Sequence, residues 1–392
     1  MSICMKIGII TFWESTDNYG QVLQAYALQT VLKNMGHEPF LIRYSLKASL
    51  GESRKPSLLR KVIKVMAIYP MLKAIKRNIR QREDMACRKK IEEKNILRRF
   101  SDFRDANISS SRDVYNSIEE LKANPPKADC YITGSDQVWT MLLSNEGNKA
   151  YFLDFGEDKI KRISYAASFA RYEYPKELIP LLKEQLAKFN AISVREDEGV
   201  DICRLGGRYD AIKTLDPTFL LDKDVYLKLI EHIPLGHDYA FTYSINIRDA
   251  KELAWEEVCE YAHKQKLEMV TVTSSGHFPG REILSDTKYV YATIPEWIAY
   301  INNAKFVVTT SFHGIAFCII LNKPFVYFPL SKAGAKGNGR VISLLKELGL
   351  MDRIYFGSGI EAILEAKIDW NKVNSSLEVM KKKSLDFLYQ NI

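Results

Sequence analysis

A histidine that opens a helix directly after a β-strand can hold an anion or pass a proton, and the segment Lys305 to Pro329, KFVVTTSFHGIAFCIILNKPFVYFP, offers one. Phe306 to Thr309 is a short β-branched and aromatic run, Ile315 to Leu321 is apolar on every face, and Pro324 to Phe328 reads as the next strand. The turn residues Thr310, Ser311, Phe312, His313 and Gly314 are thereby set at the carboxyl edge of a parallel sheet. Backbone N–H groups left free at the helix start, the hydroxyls of Thr310 and Ser311, and the His313 imidazole together suit a phosphate or a carboxylate. The plain alternative is a histidine that satisfies one hydrogen bond in a βα turn.

Other polar turns follow strands in the same way. Asn18, Tyr19, Gly20 and Gln21 start the first helix; Gly134, Ser135, Asp136 and Gln137 end a later strand, with Trp139 close behind; Ser164 and Ser168 flank another. Arg195 follows the strand that ends at Val194, where its planar fork can grip a carboxylate or phosphate, or pair on the surface with Glu196 or Glu198. The loop GAKGNGR, Gly334 to Arg340, combines permissive glycines with Lys336, Asn338 and Arg340 and has the makings of a phosphate cradle, unless it is a solvated loop. Asp136 can move a proton, or it caps a helix. Tyr19 and Trp139 can stack on a ligand ring, or they are core.

The elements that must position these groups alternate along the chain. Lys6 to Thr11, Glu38 to Tyr44, Cys130 to Thr133, Ile163 to Ala167 and Ala191 to Val194 read as strands, with helices over Gly20 to Asn34 and Val114 to Ala123. Asp216 and Pro217 break the pattern, and a fresh series begins with Tyr239 to Ser244, Met269 to Thr273 and Phe306 to Thr309. Thr293, Pro295 and Glu296 form a capping box ahead of the key strand, and Asn371 to Gln390 is a final helix. The expected fold class is α/β, two Rossmann-like domains facing across a cleft. Residues 1–218 form an amino-terminal domain on the acceptor side, interrupted by a basic insertion over 50–105. Residues 219–370 form the donor-anion domain, and 371–392 are a helix able to cross back onto the first.

With 392 residues, 46% of them hydrophobic, the chain can bury two cores. Six cysteines show no CxxC or Cys/His metal spacing, which fits a reducing cytosol, and no metal cluster is visible. MSICMKIGIITFW runs straight into a strand and no uncharged stretch is long enough to cross a bilayer, so the chain is expected to be neither exported nor integral to a membrane. Net charge is +8, but Arg54 to Arg99 holds 16 Lys/Arg against 4 Asp/Glu, leaving 8 − 12 = −4 for the rest. Within it Leu58, Val62, Met66, Tyr69, Leu72, Ile75 and Ile79 recur every three or four residues, an apolar stripe on a cationic helix kinked at Pro70. Such a helix can be solvated, lie on an anionic membrane surface or bind nucleic acid. No RNA or DNA module accompanies it, so nucleic acid is not an expected partner.

Taken in order, NYGQVLQAYALQ, ITGSDQVW, SYAASFA, SVREDEG, LDPTFLL, SFHG and GNGRVISLLKELGL resemble the bacterial polysaccharide pyruvyl transferases, from Ile7 to Leu350 without the basic insertion. The resemblance implies a GT-B-like fold and transfer of pyruvate from phosphoenolpyruvate, as a cyclic ketal, to two hydroxyls of a lipid-linked or oligosaccharide acceptor. It implies no bound cofactor beyond phosphoenolpyruvate as donor substrate. His313 matches the family's helix-start histidine, and Arg195 matches an arginine that holds the donor. Ser311 stands where many relatives carry an arginine, so that anion contact is absent or is supplied by Arg340 or Lys336. His313 and Asp136 are the expected catalytic pair; Arg195, Ser311, Gly314, Asn338 and Arg340 are expected at the donor, and Asn18, Tyr19, Gln137 and Trp139 at the acceptor. A nucleotide-sugar glycosyltransferase and a non-catalytic glycan-assembly subunit are the alternatives.

Overall fold

Short apolar strands, each followed by a helix, pair in parallel and are covered on both faces. The structure is a computed structural model that describes residues 4–45, 86–87, 89–233, 236–274, 282–331, 335, 337–357 and 359–392. The first sheet holds β1 (Lys6–Ile10), β2 (Glu38–Tyr44), β3 (Ser110–Tyr115), β4 (Cys130–Thr133), β5 (Lys161–Ala167), β6 (Ala191–Val194) and β7 (Ile212–Lys213), in the order β3-β2-β1-β4-β5-β6-β7. The second holds β8 (Tyr239–Ile245), β9 (Glu268–Ser274), β10 (Lys288–Tyr289), β11 (Val307–Thr309) and β12 (Phe325–Tyr327), in the order β10-β9-β8-β11-β12. Every pairing is parallel; Ile9 sits opposite Ile132 and Leu41, and Val308 opposite Thr242 and Val326. In each sheet the order reverses beside a first strand, β1 or β8, which opens a crevice at the carboxyl edge.

One expectation is corrected. Val114 and Tyr115 belong to β3, which pairs along β2, and the helix begins only at Ile118, where Ser117 accepts a hydrogen bond from Glu120 N. The β-branched and aromatic pair prefers the pleated surface, and the serine cap starts the helix after it. The edge strands β7 and β10 have two residues each, too short to leave a period in the sequence. The apolar stripe from Leu58 to Ile79 and the Pro70 kink lie outside the described residues, as does Lys336.

A continuous apolar cluster runs between the sheets, from Ile7, Leu23 and Ile132 through Tyr226 and Phe317 to Phe241 and Val307. Tyr19 of the helix Tyr19–Asn34 stacks on Trp297 of the helix Ile294–Asn303, with ring centroids 5.0 Å apart. The capping box that starts the latter helix is formed: Thr293 Oγ1 accepts from Glu296 N and Glu296 accepts from Thr293 N. Arg98 reinforces this seam. It is 1% exposed, and donates to the Tyr19 hydroxyl at 2.6 Å and to the Thr273 carbonyl at 2.8 Å. The helix Trp370–Asn391 reaches back to the first sheet: Ser384 Oγ accepts from Leu215 N at 2.9 Å, and the Phe387 ring lies 6.4 Å from that of Tyr165 on β5.

Candidate active site

Four carboxyl-edge turns meet where the two sheets face. After β4, Asp136 is held in the left-handed region at φ 86° by a backbone bridge to Ala167: its carbonyl accepts from Ser168 N at 2.9 Å. That left-handed turn ends the strand at Thr133 and turns the chain through Gly134-Ser135-Asp136-Gln137. After β6 comes Arg195; after β7, Asp216 enters the 3-10 turn Pro217–Leu220; after β11, Ser311 precedes the helix Phe312–Ile320.

Asp216 is the hub. Its Oδ1 accepts from Thr218 N at 3.0 Å and from the Thr218 hydroxyl at 2.8 Å. Its Oδ2 accepts from Ser135 Oγ and from Arg195 Nη1, both at 2.7 Å. His313 Nε2 stands 3.5 Å from the same oxygen, an electrostatic contact too long for a good hydrogen bond. Asp216 is 1% exposed. Burial opposes its charge, yet His313, Arg195 and Ser135 together outweigh burial and hold its carboxyl well below the usual carboxylate range.

Arg195 is therefore no surface ion pair; it is buried, with its guanidinium over the Phe312 ring at 4.6 Å. Arg340 lies over the same ring at 5.6 Å. Burial first, and Arg195 second, bring Arg340 down to about 10, so its guanidinium stays charged at neutral pH. The amide oxygen of Gln137 faces Arg340 Nη1 and Nη2 at 2.5 and 2.9 Å and fixes its plane. Arg195 Nε and Nη2, Arg340 Nε, Asp136 Oδ2 and His313 Nε2 are buried and meet no hydrogen-bond partner. Asp216 balances Arg195, and the N–H groups that the two guanidiniums leave unpartnered in this dry site are of the kind an anion can satisfy. Glu196 lies behind them, its Oε1 accepting from Ser168 Oγ, Phe169 N and Ala170 N, while burial pushes its carboxyl up against the pull of Arg195.

His313 is seated by glycine. A Cβ on Gly20 would fall 2.0 Å from His313 Nδ1, so the amino end of the first helix can approach the imidazole only as Gly20. Gly314 likewise lets its helix lie on Thr309: a Cβ there would meet Thr309 Oγ1 at 2.2 Å. This glycine is a packing requirement.

Several expected contacts are corrected by the packing. Trp139 is fully buried, stacked on Phe152 at 5.0 Å with its indole N–H donated to Tyr151 O, and Tyr19 is sealed against Trp297 and Arg98; neither ring can receive a sugar. Asn338 accepts from the Tyr327 hydroxyl and Leu330 N and donates one N–H to Leu330 O, so most of its bonding capacity braces the loop. Thr310 spends its hydroxyl on Ile245 O, and Ser311 is buried but makes no capping bond. Asn18 caps the first helix through Gln21 N. Sequence reasoning missed Asp216 and Phe312 as site residues, although the Asp-Pro pair of LDPTFLL and the residue beside His313 were both in view. Among the described residues, no group of three or more His, Cys, Asp or Glu is placed to hold a metal ion.

The sequence matches the family described as Polysaccharide pyruvyl transferase over residues 18–331, which takes in the cluster as far as His313 and stops short of Arg340. The chain belongs to the polysaccharide pyruvyl transferase family. It is accordingly an enzyme. No curated protein matches the chain. Among solved structures, UDP-N-acetylglucosamine 2-epimerase from Rickettsia bellii is similar with TM-score 0.53 at 11% identity, over 99% of this chain and 97% of that one. UDP-GlcNAc 2-epimerase from Methanocaldococcus jannaschii gives TM-score 0.47 at 11% identity, over 98% and 99% of the two chains. An alpha-glucosyltransferase in complex with UDP and a 13-mer DNA gives 0.44 at 10% identity, over 99% and 96%. At these identities the likeness concerns the fold alone, and this pyruvyl transferase is GT-B-like.

The Asp216 network gives the enzyme a pH signature. A carboxyl held low in the folded state contributes stability that is whole above its unfolded value of about 3.9 and is lost as pH falls from there through the folded value. Glu196, held high, works in the opposite sense and is relieved as pH falls. The stability gap between wild type and Asp216→Asn is therefore expected to be constant near neutrality and to shrink below about pH 4. Urea unfolding of both proteins at stepped pH measures it, and a gap that widens on acidification contradicts the assignment.

Proposed function

We propose that the enzyme transfers pyruvate from phosphoenolpyruvate to two hydroxyls of a sugar in a polysaccharide precursor, forming a cyclic ketal and releasing phosphate. The observation that carries this reading is the pair of guanidiniums, Arg195 and Arg340, flanking Phe312 with unpartnered N–H groups. Phosphoenolpyruvate carries a phosphate and a carboxylate, and needs two such contacts in one dry place. In this reading the methylene carbon takes a proton and C2 becomes oxocarbenium-like. One sugar hydroxyl adds to C2 and loses its proton; the second displaces phosphate, and its proton leaves with the phosphate. Buried and without hydrogen-bond partners, His313 Nε2 and Asp136 Oδ2 support roles in this reading for His313 at the departing phosphate and for Asp136 as the base that takes a hydroxyl proton. Incubation with phosphoenolpyruvate and an oligosaccharide pool should release phosphate in step with a new ketal methyl signal. Release of nucleotide from a sugar nucleotide, with no phosphate from phosphoenolpyruvate, overturns it.

Arg195→Lys keeps the charge and removes the fork. Apparent affinity for phosphoenolpyruvate is expected to fall about tenfold, with the acceptor KM little changed. Unchanged donor kinetics would leave Arg195 as a partner of Asp216 only.

We also propose that Arg54 to Arg99 docks the enzyme on an anionic membrane. No helix among the described residues is long and apolar enough to cross one. Arg98 is buried and Lys94 is paired with Glu282, so the charges available for docking precede them. Each Lys or Arg near such a surface contributes about 1 kcal/mol. Sedimentation with liposomes should rise with anionic lipid, fall with salt and drop when Lys61, Lys64, Lys73 and Lys76 are together changed to Glu. Equal pelleting with neutral vesicles counts against it.

A further inference from the structure

Arg195 and Arg340 reach the site from opposite sides of the seam. Arg195 follows β6 of the first sheet, whereas Arg340 lies in the first turn of the helix Gly339–Glu347, which comes after β12 of the second. The loop before that helix is tied to the second sheet, since Asn338 accepts from the hydroxyl of Tyr327 on β12. The pair of guanidiniums over Phe312 therefore depends on the spacing of the two sheets. After burial, the charge of Arg195 does most to lower Arg340, the mark of two like charges pressing apart. Gln137 fixes the plane of Arg340, and a second contact fixes its helix.

That contact is Lys213, at the end of β7. Its ammonium donates to Asp197 Oδ2 at 2.8 Å and to Ser343 Oγ at 3.0 Å, and pairs with Glu347. Ser343 in turn donates to Asp197 Oδ2 at 2.6 Å. Asp197 opens the helix Asp197–Leu205 just after Arg195, and Lys213 shortly precedes Asp216. Arg340, Ser343 and Glu347 follow at helical steps along one face of their helix. Beside them Gly339 packs so close to the helix Asp197–Leu205 that a Cβ would fall 2.8 Å from Glu198 Oε1. Lys213, Ser343 and Glu347 line the same cavity, of about 400 Å³, as Arg195, Asp216 and Arg340. An ammonium has three N–H groups, and three acceptors meet them here, so Lys213 keeps none for a ligand in that cavity.

We propose that Lys213 is a positioning residue: by joining Asp197 to Ser343 and Glu347 it clamps the Arg340 helix to the first sheet and sets the distance between the two guanidiniums. This rests on the donor reading above, in which those guanidiniums hold phosphoenolpyruvate. A lysine that touches no substrate thereby governs how tightly the donor binds.

Calorimetry of phosphoenolpyruvate binding to the full chain tests it. Lys213→Met keeps the reach of the side chain and removes its charge; it should weaken phosphoenolpyruvate about fivefold, the scale of a partly exposed ion-pair network. Lys213→Arg, which keeps the charge, should recover most of that loss. Glu347→Gln separates a clamp from a ligand contact. A clamp is loosened and phosphoenolpyruvate binds more weakly, whereas a lysine released to meet the donor itself would bind it more tightly. Tighter binding by Glu347→Gln overturns the proposal. So does unchanged affinity in Lys213→Met with lowered stability in urea, the behaviour of a purely structural ion pair, and that result leaves the donor reading standing. No phosphoenolpyruvate binding by the unaltered enzyme sinks the donor reading and this one with it.

Discussion

Asp216→Asn is expected to cost about 3–5 kcal/mol of folding stability and to stop turnover, although Asp216 need never touch substrate. The aspartate carboxylate neutralises Arg195 at 2.7 Å and receives Ser135 and Thr218 at the same time. An asparagine of the same shape keeps one oxygen for Thr218, but turns an N–H toward Arg195 or gives up Thr218 to avoid it. Either way Arg195 is left buried and uncompensated, and its guanidinium moves off the Phe312 ring. Urea unfolding at neutral pH measures the loss, and single-turnover assays at saturating donor measure the rate. A variant as stable as wild type would mean that Arg195 is balanced elsewhere, and the hub assignment would fall.

His313→Ala should lower kcat by about 10²–10³, as removal of one preorganised charge-stabilising group does in a closed site, and leave the fold intact. Gly20→Ala should do comparable damage by a different route. The new methyl cannot coexist with an imidazole nitrogen 2.0 Å away, so the ring must leave its place opposite Asp216. Loss of the ring and Gly20→Ala should not add. His313→Ala still leaves a Cβ 2.7 Å from the Gly20→Ala methyl, so the clean partner is His313→Gly, which removes ring and Cβ together; that double variant should be as slow as His313→Gly alone. Additive losses in the double variant would show that Gly20 acts on something other than His313.

The strands were legible because parallel strands buried on both faces are short apolar runs punctuated by turn residues: Glu38 to Tyr44, Cys130 to Thr133 and Ala191 to Val194 could be bounded from sequence as they stand in the fold. Arg195, His313 and Asp136 were legible as groups at strand ends, since position alone put them at a carboxyl edge. Asp216 was not. Its partners lie at 135, 195 and 313, and a single sequence carries no record of which remote residues meet; beside Pro217 it reads as a chain break. Tyr19 and Trp139 failed for a related reason. An aromatic next to a polar turn has two directions to face, and only the packing of Trp297 and Phe152 decides between them. Asn338 had the chemistry of a ligand-binding group, and the loop it braces takes up three of its bonds.

The seam between the sheets has a consequence for the order in which the nascent chain acquires its parts. Tyr19 waits for Ala292, 273 residues later, to accept its hydroxyl proton, and Leu215 waits 169 residues for Ser384. As synthesis proceeds, the first sheet can close on itself while Asp216 and Arg195 face water, with His313 and Phe312 still unmade. For that interval the emerging half presents a naked apolar flank, Leu23, Leu28 and Ile132 among it, which later packs in the core between the sheets. Ribosome-bound chains that stop before the helix Phe312–Ile320 are the ones for which a chaperone has something to hold.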